Sequence, residues 1–394
     1  MRVLILSAPV GAGHDAAARG VAEALRARGA EVEIDDGLAL LGPLVHRLVV
    51  DGYHWELEHA AWSWRLLYRG TRSHRLIKLV GWAMAVRGRR RVLGRIAQSR
   101  PDRIVSTYPL VSAALAALRR SGRLAIPCST MVTDFDPHPA WIHTDLDANL
   151  SVGSGRPALT PVQPPGPLDA CLPSMRAPAR AQLGVADSTR VVLIAGGVWG
   201  VGNLHGAALA VASVPETHVV AVTGRNDALR RRMAADPALA GSTVLGYSDA
   251  VPSLMAASDL LIQNAGGLTC LEGFAARLPV VMFDPLPGHG EDNSREMAAA
   301  GLVTVTADRE QLCALLHDDR FWRTAAPAQA ERAFRLFDRP CAADALAGQA
   351  EPAAMGRLAV VRRSLRPVLA AFSAMAIVTL TRTPALVEIH HLVR

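Results

Sequence analysis

The sequence predicts an α/β protein built from two doubly wound domains that face each other across a cleft. Two apolar runs, at Val3–Leu6 and at Arg190–Ala195, each lead into a glycine-rich turn that precedes a segment with helical spacing. A proline-rich stretch separates the two series. The length of 394 residues exceeds what one hydrophobic core usually serves, and half of the residues are apolar, which excludes a disordered chain.

The first series has the order strand, glycine turn, helix, strand. After Val3–Leu6 comes the turn Gly11-Ala12-Gly13, a helix is predicted over Ala16–Arg28, and Glu31–Ile34 is the second strand. Further strands of this domain are expected at Arg103–Ser106, Pro127–Val132 and Ala148–Val152.

Composition shifts divide the chain into four parts. We expect an N-terminal domain over residues 1–153, a linker with seven prolines over 154–187, a C-terminal domain over 188–345 and a tail over 346–394. Later strands of the second domain are predicted at Val219–Thr223, Leu260–Gln263 and Val280–Phe283. In the tail, the uncharged stretch Pro367–Thr381 is short for a membrane span, so it is either a buried helix or an interfacial anchor.

The cysteines and the N-terminus indicate a reducing, cytoplasmic setting. The five cysteines lie far apart without a CxxC pair, which argues against a disulfide framework and against a zinc site. The first apolar run is too short for a signal peptide and is better explained as a strand.

A basic segment without acidic residues lies in the first domain. Ten basic residues fall between Arg65 and Arg95, with Trp62, Trp64, Tyr68 and Trp82 among or beside them. Arginine interleaved with tryptophan favours a helix over residues 62–95 that lies on an anionic membrane surface. The alternative is a solvated helix whose aromatic side chains pack in the core. Nucleic-acid binding needs the same charge but lacks an accompanying motif, so we expect none.

The first glycine turn has two interpretations. Gly11-x-Gly13-x-x-Ala16 with Asp35 or Asp36 about 20 residues later satisfies the dinucleotide fingerprint, which would indicate an NAD(P)-dependent oxidoreductase. His14 argues against it, because an imidazole at the helix start would crowd a pyrophosphate. The same position suits a base directed at a substrate in the cleft, although His14 could also serve only to cap the helix.

The segment after the predicted strand Pro127–Val132 is dense in polar groups and should line the cleft. Asp134 is a candidate catalytic residue, and His138 and Trp141 are candidate acceptor contacts together with Gly11 and Gly13. His138 and His143 are five residues apart in a loop broken by proline, so we expect no metal site.

The strongest pattern lies in the second domain. After the strand Leu260–Gln263, Gly266 and Gly267 free backbone amides for phosphate oxygens, and Thr269 adds a hydroxyl donor. Glu272, one helical turn later, is placed to accept both hydroxyls of a ribose. The candidate donor-binding residues are completed by the loops after the two neighbouring strands: Gly196, Gly197, Gly200, His289 and Asn293.

These motifs resemble the glycosyltransferase family that holds the plant and bacterial monogalactosyldiacylglycerol synthases, to which the peptidoglycan GlcNAc transferase is more distantly related. The resemblance runs from Val3 to about Ala343 and is weakest over residues 40–100. It rests on Gly11-Ala12-Gly13-His14, Thr133-Asp134, His138-Pro139, Trp141, Gly196-Gly197, Ser258-Asp259, Gly266-Gly267-x-Thr269-x-x-Glu272, Pro279, Pro287-Gly288 and Asn293.

The resemblance implies a GT-B fold, with the acceptor bound by the first domain and a UDP-sugar by the second. It implies inverting transfer of a hexose to a lipid acceptor such as diacylglycerol, without a metal and without a cofactor beyond the UDP-sugar co-substrate. His14 matches the family's base and Glu272 its ribose-binding acid. Such an enzyme is expected to be cytoplasmic and peripheral on the inner face of the cell membrane.

The chain departs from the galactolipid synthases at His289-Gly290, where Gln-Glu is usual. The resemblance therefore does not name the donor sugar or the acceptor. Besides the oxidoreductase, a non-catalytic protein that binds a nucleotide sugar or a lipid stays open as an alternative.

Overall fold

The computed structural model describes residues 1–10, 13–59, 68, 70–153, 156–166, 173–264 and 267–348. The expectations for Gly11, Gly266, Trp62, Trp64 and the apolar stretch of the tail lie outside the described residues.

The first domain contains a parallel sheet in the order β2-β1-β3-β4-β5-β6. Its strands are β1 (Arg2–Ser7), β2 (Glu31–Asp36), β3 (Arg103–Ser106), β4 (Cys128–Val132), β5 (Ala148–Ser151) and β6 (Thr160–Pro161). Alternate residues of β1 pack on opposite faces: Val3 and Ile5 in one apolar cluster, Leu4 and Leu6 in another. Burial on both faces explains why this strand is a continuous apolar run.

Five described helices cover this sheet. They are α1 (Gly13–Arg26), α2 (Gly37–Leu41), α3 (Pro43–His59), α4 (His74–Ser99) and α5 (Pro109–Arg120). Helix α1 begins three residues before the predicted start at Ala16 and ends two residues before the predicted end at Arg28. The earlier start places His14 in the first helical turn, directly at the carboxyl end of β1.

The second domain contains a parallel sheet in the order β12-β11-β10-β7-β8-β9, which is the strand order of dinucleotide-binding domains. Its strands are β7 (Arg190–Ala195), β8 (Thr217–Val222), β9 (Thr243–Leu245), β10 (Leu260–Gln263), β11 (Val280–Phe283) and β12 (Thr304–Thr306). Two parallel sheets with helices confirm the predicted fold class.

The helices from residue 173 onward connect these strands and return to the first domain. They are α6 (Arg176–Leu183), α7 (Leu204–Ala212), α8 (Asp227–Ala234), α9 (Val251–Ala257), α10 (Leu268–Ala275), α11 (His289–Ala299), α12 (Arg309–His317), α13 (Ala326–Phe334) and α14 (Ala342–Ala347), with a π-helical turn at Phe321–Ala325 and 3₁₀ turns at Pro173–Met175, Pro237–Leu239 and Arg335–Asp338. Helix α14 packs on α1 of the first domain.

Two segments of chain cross between the domains and lie side by side. The Gln163 N–H donates to the carbonyl of Pro340 at 3.0 Å, which joins the two crossing segments directly. The Arg339 guanidinium donates to the carbonyl of Val152 at 2.6 Å, and Arg28 pairs with Asp344 at 2.7 Å. These contacts attach the end of the second domain to the first.

Candidate active site

Each sheet reverses its strand order once, and the two reversal points face each other. In the first sheet the reversal lies between β1 and β3, and in the second between β7 and β10. Ligands of open α/β sheets bind outside the carboxyl ends of the strands at such points. The helices that begin at these two points touch: a Cβ atom added at Gly13, the first residue of α1, would lie 3.8 Å from the Cβ of Leu268, the first residue of α10.

His14 is held at the first reversal point by the backbone. Its Nδ1 atom lies 2.8 Å from the carbonyl oxygen of Thr107, which follows β3. A carbonyl only accepts, so Nδ1 carries the proton and Nε2 presents a lone pair. The imidazole stands edge-on to the Tyr108 ring at 5.0 Å and lies 5.9 Å from the Trp141 ring.

The surroundings of His14 favour the neutral imidazole. Removal from water lowers the pKa of His14 below its ordinary value of 6.5, and this effect outweighs the negative charges of Asp134 and Asp15 and the Thr107 hydrogen bond, which raise it. The nearby His289 lowers it further. A neutral imidazole with a fixed tautomer is the form that accepts a proton.

Asp134 is held from both sides. The Trp141 indole N–H donates to Oδ2 at 2.8 Å, and the Asn293 side-chain amide donates to Oδ1 at 3.3 Å. The Trp141 side chain is only 1% exposed. It therefore orients Asp134 from the core, a role that sequence reasoning missed; its expected acceptor contact stays a prediction.

His138 and His289 come together around Tyr68. The ring centroid of Tyr68 lies 5.0 Å from that of His138 and 6.3 Å from that of His289. His138 accepts the Ala140 N–H at Nδ1, so its Nε2 donates to the Thr71 hydroxyl at 3.3 Å. Burial, and then the charge of Arg72, lower the pKa of His138 to about 4. Burial also lowers the pKa of His289, against the opposing charges of Asp134 and Asp292.

The glycine-rich loop after β7 has two kinds of glycine. A Cβ at Gly200 would lie 1.9 Å from the carbonyl oxygen of Thr223, so this glycine is required by packing. Gly197 is exposed, has φ +66°, and meets nothing within 4 Å. Gly196 is buried against Leu204. Of these three glycines, Gly197 is the one whose backbone faces open space, where a phosphate could approach.

The start of α10 follows β10, the neighbour of β7 at the reversal point of the second sheet. Gly267 precedes the helix with φ +92°, and Thr269 lies half-buried in its first turn. Glu272 lines a small cavity between the domains together with Ala16 and Pro165. Burial raises the pKa of Glu272 to about 7, because removal from water disfavours the ionised carboxylate.

The two domains are joined across the cleft by polar contacts. The Asn293 Oδ1 atom accepts the backbone N–H groups of Phe135 at 2.8 Å and Asp136 at 3.0 Å. Arg72 pairs with Asp136 at 3.3 Å and with Asp292 at 2.7 Å. Asn293 therefore lies at the domain contact, and its expected contact with the donor stays a prediction.

The acids of the dinucleotide interpretation are engaged elsewhere. Asp35 pairs with Arg95. Asp36 caps α2 through the Ala39 N–H at 3.0 Å and lies 2.9 Å from His46 Nε2. Both carboxylates, one of which a dinucleotide ribose would need, are thus bound to groups of the protein itself.

The basic segment forms an exposed stripe on α4. Trp82 is 39% and Val86 52% exposed, and Arg75, Lys78 and Arg90 are exposed at helical spacing on the same face. Arg72 and Arg95 make internal ion pairs instead. Among residues whose structure is described, no helix is both long and apolar enough to span a bilayer. Nor do three His, Cys, Asp or Glu side chains gather there as a metal-binding group.

The sequence matches known families in both halves. The monogalactosyldiacylglycerol (MGDG) synthase family matches residues 14–152, and the glycosyltransferase family 28 C-terminal domain matches residues 191–320. A protein described as a processive diacylglycerol beta-glucosyltransferase from Bacillus cereus is 27% identical over 337 residues, which is 81% of this chain and 86% of the relative. Its counterpart from Bacillus cytotoxicus is 27% identical over 340 residues, with the same coverage.

Solved structures show the same fold. The spinosyn rhamnosyltransferase SpnG in complex with spinosyn aglycone superposes with a TM-score of 0.59 at 17% identity, covering 88% of this chain and 99% of its own. SnogD from Streptomyces nogalater gives 0.57 at 18% identity, with 88% and 98% covered. HepE from Anabaena in complex with UDP gives 0.52 at 15% identity, with 86% and 96% covered. These structures confirm the GT-B fold. The family matches and the curated relatives show a sugar-transferring enzyme, and they confirm the resemblance to the monogalactosyldiacylglycerol synthase-like glycosyltransferases.

Proposed function

We propose that this enzyme transfers a hexose from a UDP-sugar to the hydroxyl group of a membrane lipid such as diacylglycerol, with inversion at the anomeric carbon and without a metal ion. The observation that carries the proposal is the position of His14 in the first turn of α1, which lies beside the start of α10, with Nδ1 bound to the Thr107 carbonyl and a lone pair left on Nε2. The diacylglycerol glucosyltransferases among the relatives support the lipid acceptor, and the UDP complex of HepE supports the donor.

On the acceptor side, the imidazole acts as the general base. Nε2 removes the proton from the lipid hydroxyl while its oxygen attacks the anomeric carbon and the bond to the diphosphate breaks. The Nδ1–H bond to Thr107 keeps the ring in place, and the negative charge of Asp134 stabilises the imidazolium that forms. Attack on the side opposite the leaving diphosphate inverts the anomeric configuration.

On the donor side, fixed dipoles receive the charge of the departing UDP. The N-terminus of α10 after Gly267 and the open backbone at Gly197 direct amides at the diphosphate. Glu272 accepts the ribose hydroxyls, for which its ionised form is required. Because these amides and the helix dipole neutralise the leaving group, the reaction needs no divalent cation.

The exposed stripe on α4 carries the enzyme to its acceptor. Trp82 and Val86 enter the interfacial region while the flanking Arg75, Lys78 and Arg90 bind anionic headgroups. The enzyme therefore acts from the cytoplasm on the inner face of the cell membrane. Sedimentation with phosphatidylglycerol vesicles, but not with phosphatidylcholine vesicles, tests this. Trp82→Ser with Val86→Ser should release the protein, whereas the control Val305→Ser, at an exposed valine of the second domain, should leave sedimentation unchanged.

A donor-by-acceptor matrix tests the transfer itself. Purified full-length protein is incubated with UDP-glucose, UDP-galactose or UDP-GlcNAc and with diacylglycerol or a polyprenyl phosphate in detergent, and UDP release and lipid product are measured. Transfer to diacylglycerol, unaffected by EDTA and with inverted anomeric configuration by NMR, is expected. If none of the three donors gives UDP release, the proposed transfer is wrong. If the product retains the anomeric configuration, the proposed inversion is wrong.

A further inference from the structure

Asn293 belongs to the donor-binding domain, yet its side chain serves the acceptor-binding domain. The residue is 1% exposed and lies on α11, where its Oδ1 accepts the N–H groups of Phe135 and Asp136. Its Nδ2 donates to Asp134 at 3.3 Å. A buried amide with three hydrogen bonds across a domain boundary has a fixed orientation, because leaving these groups unpaired costs free energy.

The two contacts of Asp134 differ in what they depend on. Trp141 is buried in the same domain as Asp134, in a cluster with Val132 and Leu159, so its hydrogen bond to Oδ2 lies within that domain. The contact of Oδ1 with Asn293 exists only while α11 lies against the loop after β4. Opening of the cleft therefore removes one of the two groups that fix the carboxylate.

Asp134 in turn acts on His14. The charged and titratable groups around the imidazole are Asp15 on its own helix, Asp134 on the loop after β4, and His289 across the cleft, with the Tyr108 ring against its edge. Among these, Asp134 has the largest stabilising effect on the imidazolium. Trp141 connects the two groups, because its indole N–H donates to Asp134 and its ring centroid lies 5.9 Å from that of His14.

We propose that Asn293 is a positioning residue that orients Asp134 toward His14 only in the closed arrangement of the domains, so that the base is completed when the donor domain is in place. The inference rests on the proposed function, in which His14 is the base. Its consequence is that an open enzyme, exposed to water, holds an imidazole with incomplete support for the charge that proton transfer creates.

Arg72→Met is the matched control for the loss of an inter-domain contact that does not involve Asp134. Arg72 connects the same two elements through Asp136 and Asp292 but has no contact with Asp134 among its ion pairs. If Asn293 only held the domains together, Arg72→Met would have the same effect on His14 as the substitutions at Asn293. If Asn293 acts through Asp134, only changes at Asn293 alter the behaviour of His14.

The kinetic test uses the full-length enzyme and the variants Asn293→Ala, Asn293→Asp and Arg72→Met. For Asn293→Ala we expect kcat to fall roughly 10- to 100-fold, as for a misplaced catalytic group, with the donor KM little changed. The acid limb of the kcat profile should shift to lower pH in Asn293→Ala, because His14 loses support, and to higher pH in Asn293→Asp, because a negative charge is added. Arg72→Met should change KM without shifting the limb.

A measurement without turnover separates this inference from the proposed function. The imidazole resonances of histidine-labelled full-length protein are titrated, with His14 assigned through His14→Gln. Opposite shifts of the His14 midpoint in the two Asn293 variants support the inference even if no donor is turned over. An unchanged midpoint in both variants, or the same midpoint shift in Arg72→Met, overturns it. Asn293→Asp retains the acceptor for the Phe135 and Asp136 amides, so it keeps the test open if Asn293→Ala does not fold.

Discussion

The Nδ1 atom of His14 lies 2.8 Å from the carbonyl oxygen of Thr107. Because the partner is a backbone carbonyl, the tautomer of the imidazole is determined by the path of the chain after β3 and not by another side chain. Substitutions in the cleft can change the charge around His14 while its Nε2 still presents a lone pair.

His14→Ala should lower turnover strongly while UDP binding is retained. A general base contributes typically 10²- to 10⁴-fold, so kcat is expected to fall by about that factor. The measurement pairs turnover with UDP affinity from calorimetry. Loss of affinity together with turnover would place His14 in donor binding instead, and unchanged turnover would exclude it as the base.

The pH profile should show a base that is already deprotonated at neutral pH. Burial lowers the pKa of His14 below 6.5, so the ionised, inactive form appears only as the pH falls through the lowered value. Acceptor kcat/KM, measured from acid to neutral pH with saturating UDP-sugar so that Glu272 does not limit the rate, is therefore expected to be flat above 6.5 and to decline below it. A limb centred above that value would contradict the effect of burial.

Glu272→Gln should weaken UDP binding and stabilise the unliganded protein at alkaline pH. Burial raises the pKa of Glu272 from 4.5 to about 7, so ionisation costs stability progressively as the pH rises through this window. Melting temperatures of the variant should exceed those of the wild type above pH 7 and converge with them below 4.5.

The same substitution should remove part of the pH dependence of UDP affinity. Ionised Glu272 accepts the ribose hydroxyls, and hydrogen bonds to a charged group are worth about 1.5–3 kcal/mol, so UDP affinity should fall roughly 10- to 100-fold. Calorimetry at several pH values measures the UDP affinity. The pH dependence that remains in Glu272→Gln reports the ionisation of UDP itself. Equal UDP affinities of the wild type and Glu272→Gln would mean that Glu272 does not contact the ribose.

Gly197→Ala and Gly200→Ala should separate binding from folding. Alanine at Gly197 meets no neighbour and costs roughly 1–2 kcal/mol for its left-handed backbone, but its Cβ occupies the space predicted for the diphosphate. Alanine at Gly200 collides with the Thr223 carbonyl, so it should lower the melting temperature much more. Thermal melts with and without UDP compare the two. A folded Gly197→Ala variant with wild-type affinity would remove Gly197 from the donor site.

The fold was largely predictable because most strands are buried on both faces. The strands at Arg103–Ser106, Leu260–Gln263 and Val280–Phe283 coincide with their predicted limits, since apolar runs mark them clearly. Three short strands were not predicted: Thr160–Pro161, Thr243–Leu245 and Thr304–Thr306. They lie at sheet edges or are only partly buried, so their sequences lack a continuous apolar run.

The candidate site was predictable only in part. His14 and Asp134 could be selected because each follows a strand at its carboxyl end. The Thr107 carbonyl could not, since a backbone acceptor 93 residues away has no signature in the sequence. Likewise, the ion pair of Arg72 with Asp292 joins residues 220 positions apart, and the composition of the basic segment indicated only its charge.

The two crossing segments, joined where the Gln163 N–H meets the Pro340 carbonyl, restrict how the domains can move. One connecting segment would let the domains rotate about any axis. Two adjacent segments resist twisting, so the easiest motion is a hinge rotation about the axis that passes through both segments. We therefore expect the cleft to open and close along one path. A rotation of this kind would return Asn293 to the same place on the loop after β4 each time the cleft closes.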